Sequence, residues 1–197
     1  MKNILWVVLA AVSMLACETE DRTKGDSLYA SKEYKSAVKA YDEYLELHPT
    51  HVKSLYNRGR SYEELKEYDK ALADFNQVLE LDKKNTSAML SLSKYYYRAE
   101  KFDQSLFYAE SAIKVKDDMA EGFFWVARAS HHMGDFPKAK AAYNNAINLN
   151  KQYGEAYLYR GALKMQEDKK TGACQDFKQA KNLGIKEAEA AIKKYCN

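Results

Sequence analysis

One spacing constrains this chain more than any other. Small and large residues recur every 34 positions, five times over, without a gap. The windows open at Glu18, Val52, Thr86, Ala120 and Gly154 and so cover 18–51, 52–85, 86–119, 120–153 and 154–187. Their eighth places hold Gly25, Gly59, Ser93, Ala127 and Gly161, and their twentieth places Ala37, Ala71, Ser105, Ala139 and Ala173. Small residues at both places let two helices approach closely, where a larger side chain would hold them apart. Large residues sit beside them: Tyr34, Tyr68, Phe102 and Phe136 at place 17, and Tyr41, Phe75, Tyr143 and Phe177 at place 24. A repeated unit of this size cannot bury its apolar face alone, so it must stack on its neighbours.

Composition agrees with helices throughout. Hydrophobic residues make up 46% of the 197, aromatics 13%, and there are only two Pro and eight Gly. That is too rich in core-forming residues for a disordered chain. No run alternates apolar and polar at period two, so the expected class is all-α. Basic side chains number 31 against 28 acidic, a balance that gives no support to nucleic-acid binding.

The period, together with Gly59-x-x-Tyr62 early in the window and Ala71-x-x-x-Phe75 late in it, resembles the tetratricopeptide repeat (TPR) family. The resemblance implies a right-handed α-solenoid of about five helix-turn-helix repeats, occupying residues 25–184. Only Pro49 keeps the family's proline at place 32; Lys83, Asp117, Lys151 and Ile185 replace it. Ala109 stands where the third repeat should have an aromatic, with Tyr95-Tyr96-Tyr97 available to fill that volume. In the fifth repeat Lys164 and Lys170 replace core aromatics, as expected where a stack meets solvent. Ile185, Ala188, Ala191, Ile192 and Tyr195 then follow at helical spacing, so 185–197 reads as a capping helix. Gly184 lies where a helix C-cap wants a left-handed residue.

The N-terminus reads as an address. Lys2 precedes the apolar run Ile4–Val12, which is shorter than the roughly 20 residues a spanning helix needs. Ala16 directly before Cys17 resembles the lipobox of bacterial lipoproteins, although Met14 and Leu15 depart from its usual residues. The resemblance implies a signal peptide over 1–16, cleavage before Cys17, palmitate on Cys17 and a tether over 17–24. Glu18 after the cysteine, rather than Asp, favours the outer membrane of a bacterial envelope, at the periplasmic face or the cell surface. Ordinary secretion with Cys17 left free is the alternative.

Removing Cys17 leaves an even pair. Cys174 lies ten residues before Gly184 and Cys196 twelve after it, so the two sit roughly 15 and 18 Å from the turn on antiparallel helices. A disulfide across that hairpin is expected, with two buried free thiols as the other reading; an exported chain favours the bond.

Nothing in the chain assembles an enzyme. There is no Gly-rich phosphate loop and no H-E-x-x-H. His48 and His51 flank Pro49 with too few neighbouring ligands for a metal site. The expectation is a non-enzymatic protein without cofactor or metal.

In the TPR family the first helices line the concave groove, with places 2, 5, 9 and 12 facing into it. Place 9 here reads Arg60, Lys94 and Arg128, a cationic ladder. Place 5 reads Tyr56, Leu90, Phe124 and Leu158, an apolar rail not required by the core, and place 12 adds Tyr97 and His131. Such a surface suits a peptide or protein partner with acidic and apolar side chains. The bland alternative is a solvated basic face. The leading expectation is therefore a membrane-anchored TPR adaptor serving envelope complex assembly. A small-ligand or glycan receptor and a self-associating structural solenoid remain as rivals.

Overall fold

A computed structural model describes residues 23–196. The expected signal peptide, Cys17 and most of the expected tether lie outside the described residues. Among those described, eleven α-helices and no strand occur. They fall into two compact units, divided along the chain between Leu81 and Asp82.

The first unit holds α1 (Lys24–Ala30), α2 (Tyr34–Leu47), α3 (Val52–Glu64) and α4 (Tyr68–Leu81). Thr23 and Asp26 form a capping box, each side chain accepting from the other's backbone N–H, so a helix already begins at the last residue of the expected tether. Each helix packs on the next in sequence, and α1 also touches α3. The close approach expected from the eighth and twentieth places is visible at Gly59. A Cβ there would come within 2.7 Å of the Phe75 ring. Tyr41, Phe75, Leu55 and Val78 are sealed from solvent around this contact.

The second unit holds α5 (Thr86–Arg98), α6 (Phe102–Val115), α7 (Ala120–His132), α8 (Phe136–Leu149), α9 (Gly154–Gln166), α10 (Lys170–Asn182) and α11 (Glu187–Tyr195). Its core runs from Ala109 through Phe124, Ala127, Ala139 and Tyr143 to Leu163. At the eighth and twentieth places of the third repeat, the hydroxyl of Ser93 donates to the carbonyl of Ser105 at 2.9 Å, so the close helix contact there is polar. Tyr96 stacks on Tyr108, Tyr95 meets Tyr96 edge-on, and Tyr97 turns toward Trp125.

One backbone feature repeats through both units. The residue closing each first helix has positive φ: Lys32 (62°), Lys66 (62°), Glu100 (57°), Gly134 (80°) and Asp168 (57°). All five occupy place 15 of the window. The N–H of the following residue reaches back to the carbonyl five earlier, as in Glu67 to Tyr62 and Lys101 to Tyr96, each 2.9 Å. This is a Schellman closure, which satisfies carbonyls that the helix end would otherwise leave open.

The same closure ends α10. Gly184 (φ 86°) follows Leu183, and Ile185 N–H donates to the Ala180 carbonyl at 3.0 Å. The chain then turns into α11, whose Ala188 is buried and whose Tyr195 stacks on Phe177. Cys174 and Cys196 come to disulfide distance, with sulfurs 2.05 Å and Cα atoms 5.6 Å apart.

Candidate functional site

Within the second unit the first helices α5, α7 and α9 lie side by side, each touching the next. The period therefore brings places 5, 9 and 12 of three repeats onto one face. At its centre is Arg128. Its guanidinium carbon sits 3.5 Å from the Tyr159 ring centroid and 4.7 Å from that of Tyr97, on helices to either side. Its Nη2 also donates a short hydrogen bond to the Tyr97 hydroxyl. No carboxylate pairs with Arg128 among the described residues.

The other two rungs of the expected ladder differ. Lys94 is neutralised by Glu121 of α7 at 2.5 Å. Arg60, in the first unit, places Nε 3.1 Å from Glu63 and Nη1 3.4 Å from the Tyr56 hydroxyl. The three cations share a place in the repeat but not a state: two have acid partners and one is held by aromatic rings.

The apolar rail also needs correcting. Leu90 and Phe124 are only 4% and 5% exposed. Rings of Tyr153 (4.9 Å), Trp125 (5.4 Å) and Tyr143 (6.3 Å) from its own repeat and of Tyr159 (5.9 Å) from the next surround Phe124, so this place-5 residue belongs to the core. Tyr56 is half-buried against Phe75 at 5.7 Å. His131 remains at the rim, its Nε2 2.8 Å from Gln166 Oε1. Tyr97, Phe124, Arg128 and His131 are thus brought together, joined by Tyr159, which the period had not singled out.

Electrostatics follow from this packing. Burial raises the Tyr97 phenol above its ordinary range, and the adjacent Arg128 charge works against that rise. Burial, with help from the Arg128 charge, lowers His132 below the ordinary imidazole range. Tyr143, fully buried, is raised by burial; its hydroxyl has no hydrogen-bond partner among the described residues and feels the charge of Arg128.

Two further charged groups went unnoticed in the sequence. Arg58 bonds Asp74 through Nε (2.9 Å) and Nη2 (2.6 Å) and Asp42 through Nη1 (2.7 Å). Arg160 repeats the arrangement on Asp176 (2.8 and 2.7 Å) and Asn144 (2.8 Å). Both sit at place 7, and both tie their own second helix to the preceding one. Their spacing of 16 residues on either side was the available signal. Lys164, expected at a solvent boundary, lies 2.8 Å from Asp176 and is mostly buried. These are struts, not ligand sites.

Among the described residues no group of His, Cys, Asp and Glu could hold a metal, and no helix is long and apolar enough to cross a membrane. His51 caps α3 by accepting from Ser54 N–H at 3.2 Å, while Tyr44 packs against both His48 and His51.

Stacked helical hairpins with a row of first helices define a helical-repeat scaffold, a class whose extended surfaces take up partners. The tetratricopeptide repeat family profile matches residues 52–85, and a second profile of the same description matches 90–153. The chain is a tetratricopeptide-repeat protein. Its fold is similar to the crystal structure of MamA, at 21% identity and a TM-score of 0.73, covering 85% of this chain and 98% of that one. It is also similar to YrrB, described as a TPR protein with an unusual peptide-binding site, at 18% identity and 0.69, over 93% and 98% of the two chains. Pseudomonas aeruginosa PilF gives 15% identity and 0.73, over 80% and 72%. No curated protein sequence matches the chain.

Proposed function

We propose that this protein is a lipid-anchored adaptor of the bacterial envelope, holding a protein or peptide partner on its first-helix surface without chemistry of its own. The observation that carries the reading is Arg128, a cation set among aromatic rings on that surface with no acid beside it among the described residues. A surface of aromatic and arginine side chains is the composition that protein interfaces favour. The peptide-binding site in the description of YrrB supports the same use of the fold. Anchoring rests on Ala16-Cys17 after a short apolar run, and Glu18 favours the outer membrane. Envelope complex assembly is the process such an anchored scaffold would serve.

Two measurements test the proposal. Labelled palmitate should enter the native chain and not Cys17→Ala. A partner recovered from solubilised envelope membranes should be lost with Arg128→Glu, and its retention would count against the adaptor reading.

A further inference from the structure

The aromatic clasp on Arg128 does more than park a charge. Stacking uses the two faces of a guanidinium, whereas its hydrogen-bond donors all lie in the plane. With the Tyr159 ring packed 3.5 Å from the guanidinium carbon, one face is covered, and among the described residues a single N–H is engaged, by the Tyr97 hydroxyl. That hydroxyl accepts from Arg128 and so keeps its own proton to give. The neighbouring cation Lys94 is closed off by Glu121. Among the described residues the remaining donors of this fork thus have no carboxylate partner, with the Tyr97 hydroxyl and the Tyr159 ring beside them.

We infer that Arg128 forms a subsite for one carboxylate side chain of an extended peptide segment, gripped in bidentate fashion with apolar residues on either side. The inference rests on the adaptor reading above and narrows it: the partner is recognised through a single glutamate or aspartate, not through an acidic run. A carboxylate matches the fork in charge and in geometry, and the side chain is already ordered, so little freedom is lost on binding. A side chain is favoured over a chain terminus because aromatic residues flank Arg128 on both neighbouring helices, a layout that suits a segment passing through.

The test uses the full chain in mild detergent and three pools of fluorescein-labelled nonapeptides, with Leu, Val, Ala and Ser randomised around a fixed centre. One pool has central Glu and blocked termini. The second has central Gln and blocked termini, and the third has central Gln with a free C-terminal carboxylate. By fluorescence anisotropy the Glu pool should bind about tenfold more tightly than the Gln pool. Arg128→Lys, which keeps the charge and loses the fork, should bring that preference to about twofold or less. As a readout needing no variant, the Nε–H resonance of Arg128 in the native chain should move with the Glu pool and not with the Gln pool. Equal binding of Glu and Gln pools overturns the subsite while leaving a peptide-binding surface standing. Tighter binding of the free-carboxylate pool than of the Glu pool overturns the choice of a side chain. Absence of binding by all three overturns the subsite and counts against the adaptor reading as well.

Discussion

Arg58 grips Asp74 with two parallel hydrogen bonds, Nε to Oδ2 at 2.9 Å and Nη2 to Oδ1 at 2.6 Å, and the carboxylate is almost wholly buried. Removing one member of such a pair leaves a buried charge uncompensated, at a cost of about 3–5 kcal/mol. Arg58→Met should therefore lower the stability of the first unit by about that amount, measured by urea denaturation with hydrogen exchange read in α3 and α4. The double variant Arg58→Met with Asp74→Leu should recover most of the loss. Arg160→Met should cost clearly less, because Lys164 stays 2.8 Å from Asp176 and compensates it.

The five positive-φ closures yield a prediction of opposite sign. Lys66 and Glu100 adopt a left-handed conformation in which Cβ crowds the carbonyl, a strain of about 1–2 kcal/mol for a residue other than glycine. Gly134 occupies the same place without that penalty. Lys66→Gly and Glu100→Gly should each stabilise the protein, by about 0.5–1 kcal/mol after the greater flexibility of glycine in the unfolded chain is counted. Gly134→Lys should destabilise by a similar amount. Shifts of the denaturation midpoint at constant m-value are the check.

These closures show where the sequence was readable and where it was silent. Gly59 and Ala71 announced the helix contact because only small residues fit 2.7 Å from where a ring lies, and Gly184 announced a turn because its type carries the conformation. Lys32, Lys66, Glu100 and Asp168 take the same left-handed state with residue types that advertise nothing, so place 15 passed unremarked. Charge was harder still. Arg60, Lys94 and Arg128 look equivalent as letters, yet Glu63, Glu121 and the Tyr159 ring give them three different environments. Glu63 lies three residues along Arg60's own helix, but Glu121 and Tyr159 come from neighbouring helices, information that no single window holds. Phe124 became core partly for the same reason: Tyr159 closes over it from the next repeat, beside Tyr153 at the end of its own.

Asp26 makes the first unit sensitive to acid. Partial burial works against its ionised form, but donors outweigh burial: the Tyr41 hydroxyl at 2.8 Å, the Asn57 amide at 2.9 Å and the Thr23 N–H at 3.2 Å, with Lys53 at 3.6 Å. Its carboxyl is thus held below the ordinary range in the folded state. A carboxyl lowered by folding contributes stability above its unfolded value, near about pH 3.9, and loses it as the pH falls from there through the folded value. Asp26→Asn should be less stable than the native chain at pH 7 and should lose less on acidification below pH 4. Denaturation midpoints for both chains across that range measure the difference, and parallel curves would exclude the role given to Asp26.

The last prediction concerns the C-terminal hairpin. Helix α11 has nine residues, too few to persist in water without tertiary support. Its contacts are modest: Ala188 is buried, Tyr195 lies against Phe177 at 6.4 Å, and most other side chains face solvent. A bond between Cys174 and Cys196 closes a loop of 22 residues and on the chain-entropy model contributes about 3 kcal/mol. Reduction, or the paired substitution Cys174→Ala with Cys196→Ala, should therefore free α11 while α9 and α10 keep their hydrogen bonds. Hydrogen exchange should show amides between Ala191 and Cys196 losing protection on reduction, with those of α9 little changed. Intact-mass analysis without reductant should find neither cysteine alkylated; if α11 stays equally protected with both thiols free, its packing and not the crosslink holds the end of the stack.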